Sequence, residues 1–160
     1  MNAPQDLLMP ADRAARQAEV VAALSAVLPS HALLYRREDT VPYECDGLTA
    51  YRETPLVVAL PETEGQVAAA LAACHRLGVP VVARGAGTGL SGGAMPHAMG
   101  VTLSLAKFNR ILKIDALART ATVQCGVRNL AISEAAASHG LYYAPDPSSQ
   151  IACTIGGNVA

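Results

Sequence analysis

The residues with the clearest chemical potential lie between Ala83 and Gly93, in the stretch Ala-Arg-Gly-Ala-Gly-Thr-Gly-Leu-Ser-Gly-Gly. Five of these eleven residues are glycine, and none is Asp or Glu. A run this rich in glycine has little to bury and loses more backbone entropy on folding than other sequences. It is useful where backbone must come close to another group. The obvious group is a phosphate, cradled by successive N–H donors with Arg84, Thr88 and Ser91 beside them. Hydrogen bonds to a charged oxygen are worth about 1.5–3 kcal/mol each, so a few would hold a diphosphate. A flexible linker has similar composition. Here apolar runs at Val79–Ala83 and Val101–Leu105 anchor both ends of the loop.

Two common phosphate motifs fail. Gly87-Thr-Gly89-Leu-Ser-Gly92 reads as G-x-G-x-x-G after a strand. The dinucleotide fingerprint also needs a helix opening at the loop and an acidic residue after the next strand. Gly93, Pro96 and Gly100 block a helix, and the next strand leads into Ala106-Lys107. No Gly-Lys-[Ser/Thr] occurs, so a Walker A loop is excluded.

A second constellation spans Pro145 to Asn158. Two prolines flank Asp146; Ser148, Ser149, Cys153 and Thr154 are small and polar; Gly156-Gly157-Asn158 permits close backbone approach. Two glycine-bearing segments some sixty residues apart suit an elongated cofactor held in two places. A proline turn followed by a structural Gly-Gly pair accounts for the same residues. Arg84 either faces phosphate or makes a structural ion pair. Asp46 precedes Gly47 as a turn residue would. His31, His75, His97 and His139 lack ligand spacing, and His75 and His139 fall where favourable helix C-termini explain them.

These segments need positioning elements. Ala11–Leu28 predicts an amphipathic helix with Val20, Ala23, Leu24, Val27 and Leu28 on one face, ended by Pro29. Residues 30–55 are polar and irregular, fitting a segment that wraps the surface or lines a site. Leu56–Leu60 predicts a strand buried on both faces. Thr63 and Gln66 form a capping box for a helix that ends at Gly78, and Val79–Ala83 predicts a second buried strand. That β-α-β unit implies parallel strands, with the glycine loop at a strand's carboxyl end, a usual ligand position in α/β architecture. Val101–Leu105 predicts a further strand. Phe108–Asp115 and Arg119–Cys125 predict a hairpin. Asn129 is placed as the cap of a helix over Leu130–His139, ended by Gly140. An apolar tail follows from Ile151. The order is α+β, not a repeating Rossmann unit.

Composition narrows the function classes. The chain has 160 residues, half of them apolar, enough for one domain with a core or two small subdomains. A net charge of −1 argues against nucleic acid as a partner. Cys45, Cys74, Cys125 and Cys153 are widely spaced with no C-x-x-C, so neither a metal site nor a disulfide framework is indicated. Asp6 and Asp12 stand where a secretion signal would be basic and then apolar. The longest apolar run, Val67–Cys74, is too short to span a bilayer. The expected setting is cytoplasmic. The final Gly-Gly-Asn-Val-Ala lies inside an apolar, glycine-bearing segment, which leads us to expect a piece of a longer protein.

Arg84–Gly93 resembles the pyrophosphate loop of the FAD-linked oxidases of the vanillyl-alcohol oxidase / p-cresol methylhydroxylase (PCMH) type. Pro145-Asp-Pro-Ser-Ser and Thr154-Ile-Gly-Gly-Asn158 resemble a second FAD segment in the 2-hydroxy-acid branch of that family. Tyr43-Glu-Cys-Asp46-Gly47 and Asn109-Arg110-Ile111 add to the likeness, which runs from residue 30 onward. The resemblance implies an α+β, PCMH-type FAD-binding domain of two α/β subdomains over 30–160, truncated at its C-terminal end, with 1–29 as an added helix and no substrate-binding cap. It implies that Arg84, Gly85, Ala86, Gly87, Thr88, Gly89, Leu90, Ser91 and Gly92 hold the diphosphate. Pro145, Asp146, Ser148, Thr154, Gly156, Gly157 and Asn158 then lie toward the flavin. Covalent members carry a His where Thr88 stands, so FAD is expected to be non-covalent. The implied reaction oxidises a small 2-hydroxy acid, glycolate or D-lactate, to the 2-oxo acid by hydride transfer to flavin. The family's catalytic base and metal ligands lie further downstream, so no catalytic residue is assigned. Implied partners are other oxidase subunits, one an iron–sulfur protein, through which the chain would lie at the inner membrane. The alternatives are a non-catalytic nucleotide- or phosphate-binding module sharing the loop, and a purely structural interaction domain.

Overall fold

The computed structural model describes residues 10–160, and the contribution of Asp6 to the signal-peptide argument lies outside the described residues. Helix α1 (Pro10–Ser25) ends three residues before the expected Leu28. The Leu28 N–H still bonds the Leu24 carbonyl at 2.9 Å, so Val20, Leu24 and Leu28 all reach the buried face. Each such side chain contributes about 1.5–3 kcal/mol by leaving water.

The polar stretch after Pro29 is mostly irregular, as expected, but it contains a short strand β1 (Leu33–Leu34) and a one-turn helix α2 (Arg37–Thr40). Leu33 and Leu34 were not read as a strand because two residues carry no periodicity. Strand β2 (Val57–Ala59) is wholly buried. Helix α3 (Glu64–Leu77) opens where expected. The Thr63 hydroxyl accepts from the Gln66 N–H at 3.2 Å, and the Gln66 side-chain Oε1 accepts from the Glu62 N–H at 2.7 Å, one residue before a standard capping box. Gly78, at φ 61, closes the helix in a conformation that side chains disfavour.

Strands β3 (Val81–Arg84) and β4 (Val101–Ser104) complete a four-stranded sheet of order β1-β2-β4-β3. Both β2 and β3 run parallel to β4, and β1 is antiparallel to β2. The β-α-β strands are therefore parallel but not neighbours, because β4 is inserted between them. This corrects the expectation for Val79–Ala83: β3 starts at Val81 and is a half-buried edge, while β4 is buried throughout. The free edge of β3 faces the site.

The second layer is a hairpin of β5 (Ile111–Asp115) and β6 (Thr120–Val123), shorter than expected at its open end. The Asp115 carboxylate closes the turn, accepting from the Ala118 N–H at 3.0 Å and from Lys113 Nζ at 2.7 Å. The Lys113 contact, followed by the Ala118 one, holds the Asp115 carboxyl below the usual value. Its small stabilising effect is present above the ordinary carboxylate pKa and fades as pH falls through the lowered one. Helix α4 (Asn129–Ala136) and helix α5 (Ile155–Val159) follow. One expectation fails here. Arg128 occupies the N-cap position of α4 and Asn129 makes no cap bond, because its side chain is drawn to other partners. The tail beyond Ile151 turns into a helix, which its two glycines concealed.

Candidate functional site

The glycine loop leaves the carboxyl end of β3, and no helix follows it before β4. The loop and the C-terminal segment face each other across a groove of about 730 Å³. Of the residues singled out in sequence, Gly85, Ala86, Gly87, Thr88, Gly89, Leu90, Ser91, Thr154, Gly157 and Asn158 line it. Arg84, Gly92, Pro145, Asp146, Ser148 and Gly156 do not. Residues 81–83 on the edge of β3, together with Gly93, Ala94, Ser149, Cys153 and Ala160, line it without having been assigned. Ser149 and Cys153 sat inside the recognised segment. The part played by β3 follows only from its edge position, which sequence does not display. Gly85, Ala86 and Thr154 also border a second depression of about 530 Å³, with Asn109 and Arg128 on its far side.

The glycines fall into two groups. At Gly85 an added Cβ would strike the Thr154 hydroxyl, and at Gly156 it would lie 2.8 Å from the Cys125 Cβ and 2.9 Å from its carbonyl oxygen. Those positions are glycine because the two segments pack against each other or against β6's end. Gly87 combines φ 71 with the Arg84 guanidinium, whose Cζ would be 2.5 Å from a Cβ. Gly89 and Gly93 are different. Both line the groove, neither has a positive φ, and beyond the adjoining residues nothing of the protein lies within 4 Å of where a Cβ would be. The protein's own packing leaves them no reason to be glycine, whereas a ligand lying on the backbone does. Among the described residues, no N–H from Gly87 to Gly93 donates to a protein acceptor. Such a row of free donors, itself containing no Asp or Glu, suits the diphosphate of a dinucleotide.

Arg84 is turned away from the groove. Its Nη1 donates to the Cys45 carbonyl at 2.7 Å, and its guanidinium lies 5.5 Å from the centre of the Tyr43 ring. Among the described residues it makes no ion pair, one of the two roles weighed for it in sequence. It ties the root of the loop to the segment 43–47. Asp46 is a buried turn residue whose Oδ1 accepts from the Leu48 N–H at 2.8 Å. Gly47 then abuts the loop: an added Cβ would be 2.8 Å from the Gly89 carbonyl oxygen and 2.9 Å from that of Thr88. The four cysteines are free, and burial raises the Cys74 thiol pKa. Among the described residues no group of His, Cys, Asp or Glu could hold a metal ion.

On the other wall, Asn129 is fully buried and ties the C-terminal segment together. Its Nδ2 donates to the Pro145 carbonyl at 2.9 Å, and its Oδ1 accepts from Asn158 Nδ2 at 3.0 Å. Its own N–H bonds the Cys153 carbonyl at 2.9 Å. Pro145 thereby contributes a carbonyl to the scaffold, while Asp146 and Ser148 are exposed outside the groove. The sequence signal available for Asn129 was a polar residue set among the apolar Val127, Leu130, Ala131 and Ile132.

A loop of unpaired N–H donors at a strand end, facing a glycine-bearing second segment, defines a dinucleotide-binding domain of α+β type. Residues 55–160 match the family described as FAD binding domain, and the chain belongs to that family. Glycolate oxidase subunit GlcD of Escherichia coli (strain K12) is 62% identical over 141 residues, covering 88% of this chain and 28% of that protein. D-lactate dehydrogenase of Archaeoglobus fulgidus is 39% identical over 127 residues, covering 79% of this chain and 27% of that protein. The chain thus spans under a third of the length of these relatives. Among solved structures, alkyldihydroxyacetonephosphate synthase superposes with a TM-score of 0.76 at 21% identity, over 88% of this chain and 30% of that one. p-Cresol methylhydroxylase superposes with a TM-score of 0.68 at 22% identity, over 79% and 25%. The fold is therefore the FAD-binding fold of the PCMH type, as the resemblance implied.

Gly47→Ala is expected to weaken FAD binding about tenfold, because backbone oxygens of the loop must move to admit the methyl. Gly65→Ala, whose nearest neighbour would be 3.9 Å away, should leave FAD affinity unchanged. Titration of both variants with FAD, followed by flavin fluorescence, checks the contrast.

Proposed function

We propose that this chain is the FAD-binding part of a flavoprotein that oxidises a small 2-hydroxy acid, glycolate or D-lactate, to the 2-oxo acid. The observation that carries the reading is the groove wall at Gly89 and Gly93, bare of side chains where no protein atom demands it. The names of the relatives supply the substrate class, glycolate for one and D-lactate for the other. When bound, FAD supplies a two-electron acceptor for hydride from the α-carbon. The chain's own residues bind and orient: loop N–H groups from Gly87 to Gly93 take the diphosphate, and Thr154, Gly157 and Asn158 bound the cofactor on the opposite wall. Arg84, Tyr43 and Asn129 hold these two walls in place.

Thr88 offers no nucleophilic imidazole to the flavin, which supports non-covalent FAD. The 160-residue piece by itself is expected to be inactive, because the reading assigns it no catalytic base. We further propose that it works beside other oxidase subunits, one of them an iron–sulfur protein, in the cytoplasm at the inner membrane. The subunit name of the Escherichia coli relative supports assembly. No helix among the described residues is long and apolar enough to cross a membrane.

An absorbance spectrum tests the reading. Protein mixed with FAD and freed of excess should show flavin bands near about 370 and 450 nm, and acid precipitation should leave the flavin in the supernatant. A protein that stays colourless with added FAD overturns the reading; flavin that precipitates with the protein overturns the non-covalent part.

A further inference from the structure

We infer that Asn129, which the reaction never touches, is a positioning residue that fixes the polarity of the Asn158 side chain and so presents a hydrogen-bond acceptor to the cofactor. The inference rests on the reading of the groove as an FAD site.

The argument is one of forced orientations. The Pro145 carbonyl carries no proton and can only accept, so Asn129 must turn its Nδ2 toward it, at 2.9 Å. Asn129 is fully buried, so it cannot exchange this bond for water. Its Oδ1 then points at Asn158, and an amide oxygen can only accept. Asn158 must therefore offer its Nδ2, at 3.0 Å. The opposite end of the same planar amide, Asn158 Oδ1, is left without a protein donor among the described residues. Asn158 is exposed and lines the groove.

The groove thus has two walls of opposite character. The loop offers N–H donors, which suit the phosphate oxygens. Asn158 offers an acceptor, for which a fully ionised phosphate has no complement. The complementary groups on FAD are its donors: the ribityl and ribose hydroxyls, the imide N–H of the flavin ring and the adenine amino group. Flipping Asn158 would set its Oδ1 against the Asn129 Oδ1, two acceptors facing each other, and leave the buried Asn129 oxygen unpaired, a cost larger than the bond itself. Asn129 therefore acts on the cofactor through Asn158.

A double-mutant cycle on the full chain tests this, with FAD affinity read by flavin fluorescence and the apoprotein's thermal midpoint read alongside. Asn158→Ala and Asn129→Ala should each weaken FAD binding about five- to tenfold. The double variant should bind FAD no more weakly than Asn158→Ala, since the effect of Asn129 on the cofactor is routed through Asn158 while its bond to Pro145 bears on stability. Asn158→Asp keeps an acceptor toward the groove but sets an acceptor against Asn129. At about 0.5 M salt, where the added charge is screened within roughly 4 Å, it should also bind FAD weakly. That exposed position keeps the test decisive if Asn129→Ala does not fold. Additive losses, a lowered thermal midpoint with unchanged FAD affinity in Asn129→Ala, or normal FAD binding by Asn158→Asp would each overturn the inference and leave the FAD site standing. Failure of the wild-type chain to take up FAD would overturn the site itself, and this inference with it.

Discussion

Gly126→Ala should lower the thermal midpoint by about 10 °C, a loss of about 3 kcal/mol in a domain of this size. Gly126 is buried where the two layers meet. Its N–H donates to the Phe108 carbonyl at 2.8 Å. An added Cβ would fall on the Leu105 carbonyl oxygen and lie 2.8 Å from that of Phe108. Both obstacles are backbone, so no side chain can swing aside. The strain would also travel toward the site, since the Leu105 N–H bonds the Arg84 carbonyl at 3.0 Å, at the root of the glycine loop. Differential scanning calorimetry of the apoprotein measures the shift. A shift of less than about 2 °C, within the effect of an ordinary surface substitution, would mean that the hairpin layer is not held through this contact.

Gly126 also illustrates what the sequence could and could not disclose. Regular elements with local signals were legible: Thr63, Gln66 and Gly78 bracket α3 by side-chain chemistry that acts within four residues. The glycine loop and its partner segment were legible because glycine density and proline turns are local too. The order of the sheet was not. Val79–Ala83 and Val101–Leu105 look alike as apolar runs, and only long-range pairing decides that β4 is central and β3 an edge. That difference places residues 81–83 beside the groove. Single side chains were harder still. Arg84 was noticed for its charge beside a phosphate-type loop, yet its partners are a carbonyl 39 residues away in sequence and a tyrosine ring. Asn129 read as a helix cap because asparagine favours that role. Its actual partners, Pro145 and Asn158, come from segments whose positions depend on the finished fold. Glycine itself is ambiguous in sequence: Gly85, Gly126 and Gly156 serve internal packing, and only the structure separates them from Gly89 and Gly93.

That separation makes the sharpest functional expectation. Gly89→Val should weaken FAD binding by roughly 10- to 100-fold while leaving the apoprotein's thermal midpoint within about 2 °C of wild type. Apart from the adjoining residues, no protein atom lies within 4 Å of the Gly89 Cβ position, and its φ is not in the left-handed region. A Cβ there projects into the groove, where a ligand lying on the loop would meet it. The same substitution two residues earlier should behave differently. At Gly87, φ 71 strains any β-branched residue by about 1–3 kcal/mol. The new side chain would also push the Arg84 guanidinium off the Cys45 carbonyl and the Tyr43 ring. Gly87→Val should therefore lower both FAD affinity and the thermal midpoint. Calorimetry of the two apoproteins and fluorescence titration with FAD give the four numbers needed. If Gly89→Val lowers stability as Gly87→Val does and spares FAD affinity, the loop is glycine-rich for its own folding and the groove is not where the cofactor lies. If affinity falls at Gly89 with stability intact, the missing side chain is the imprint of the ligand.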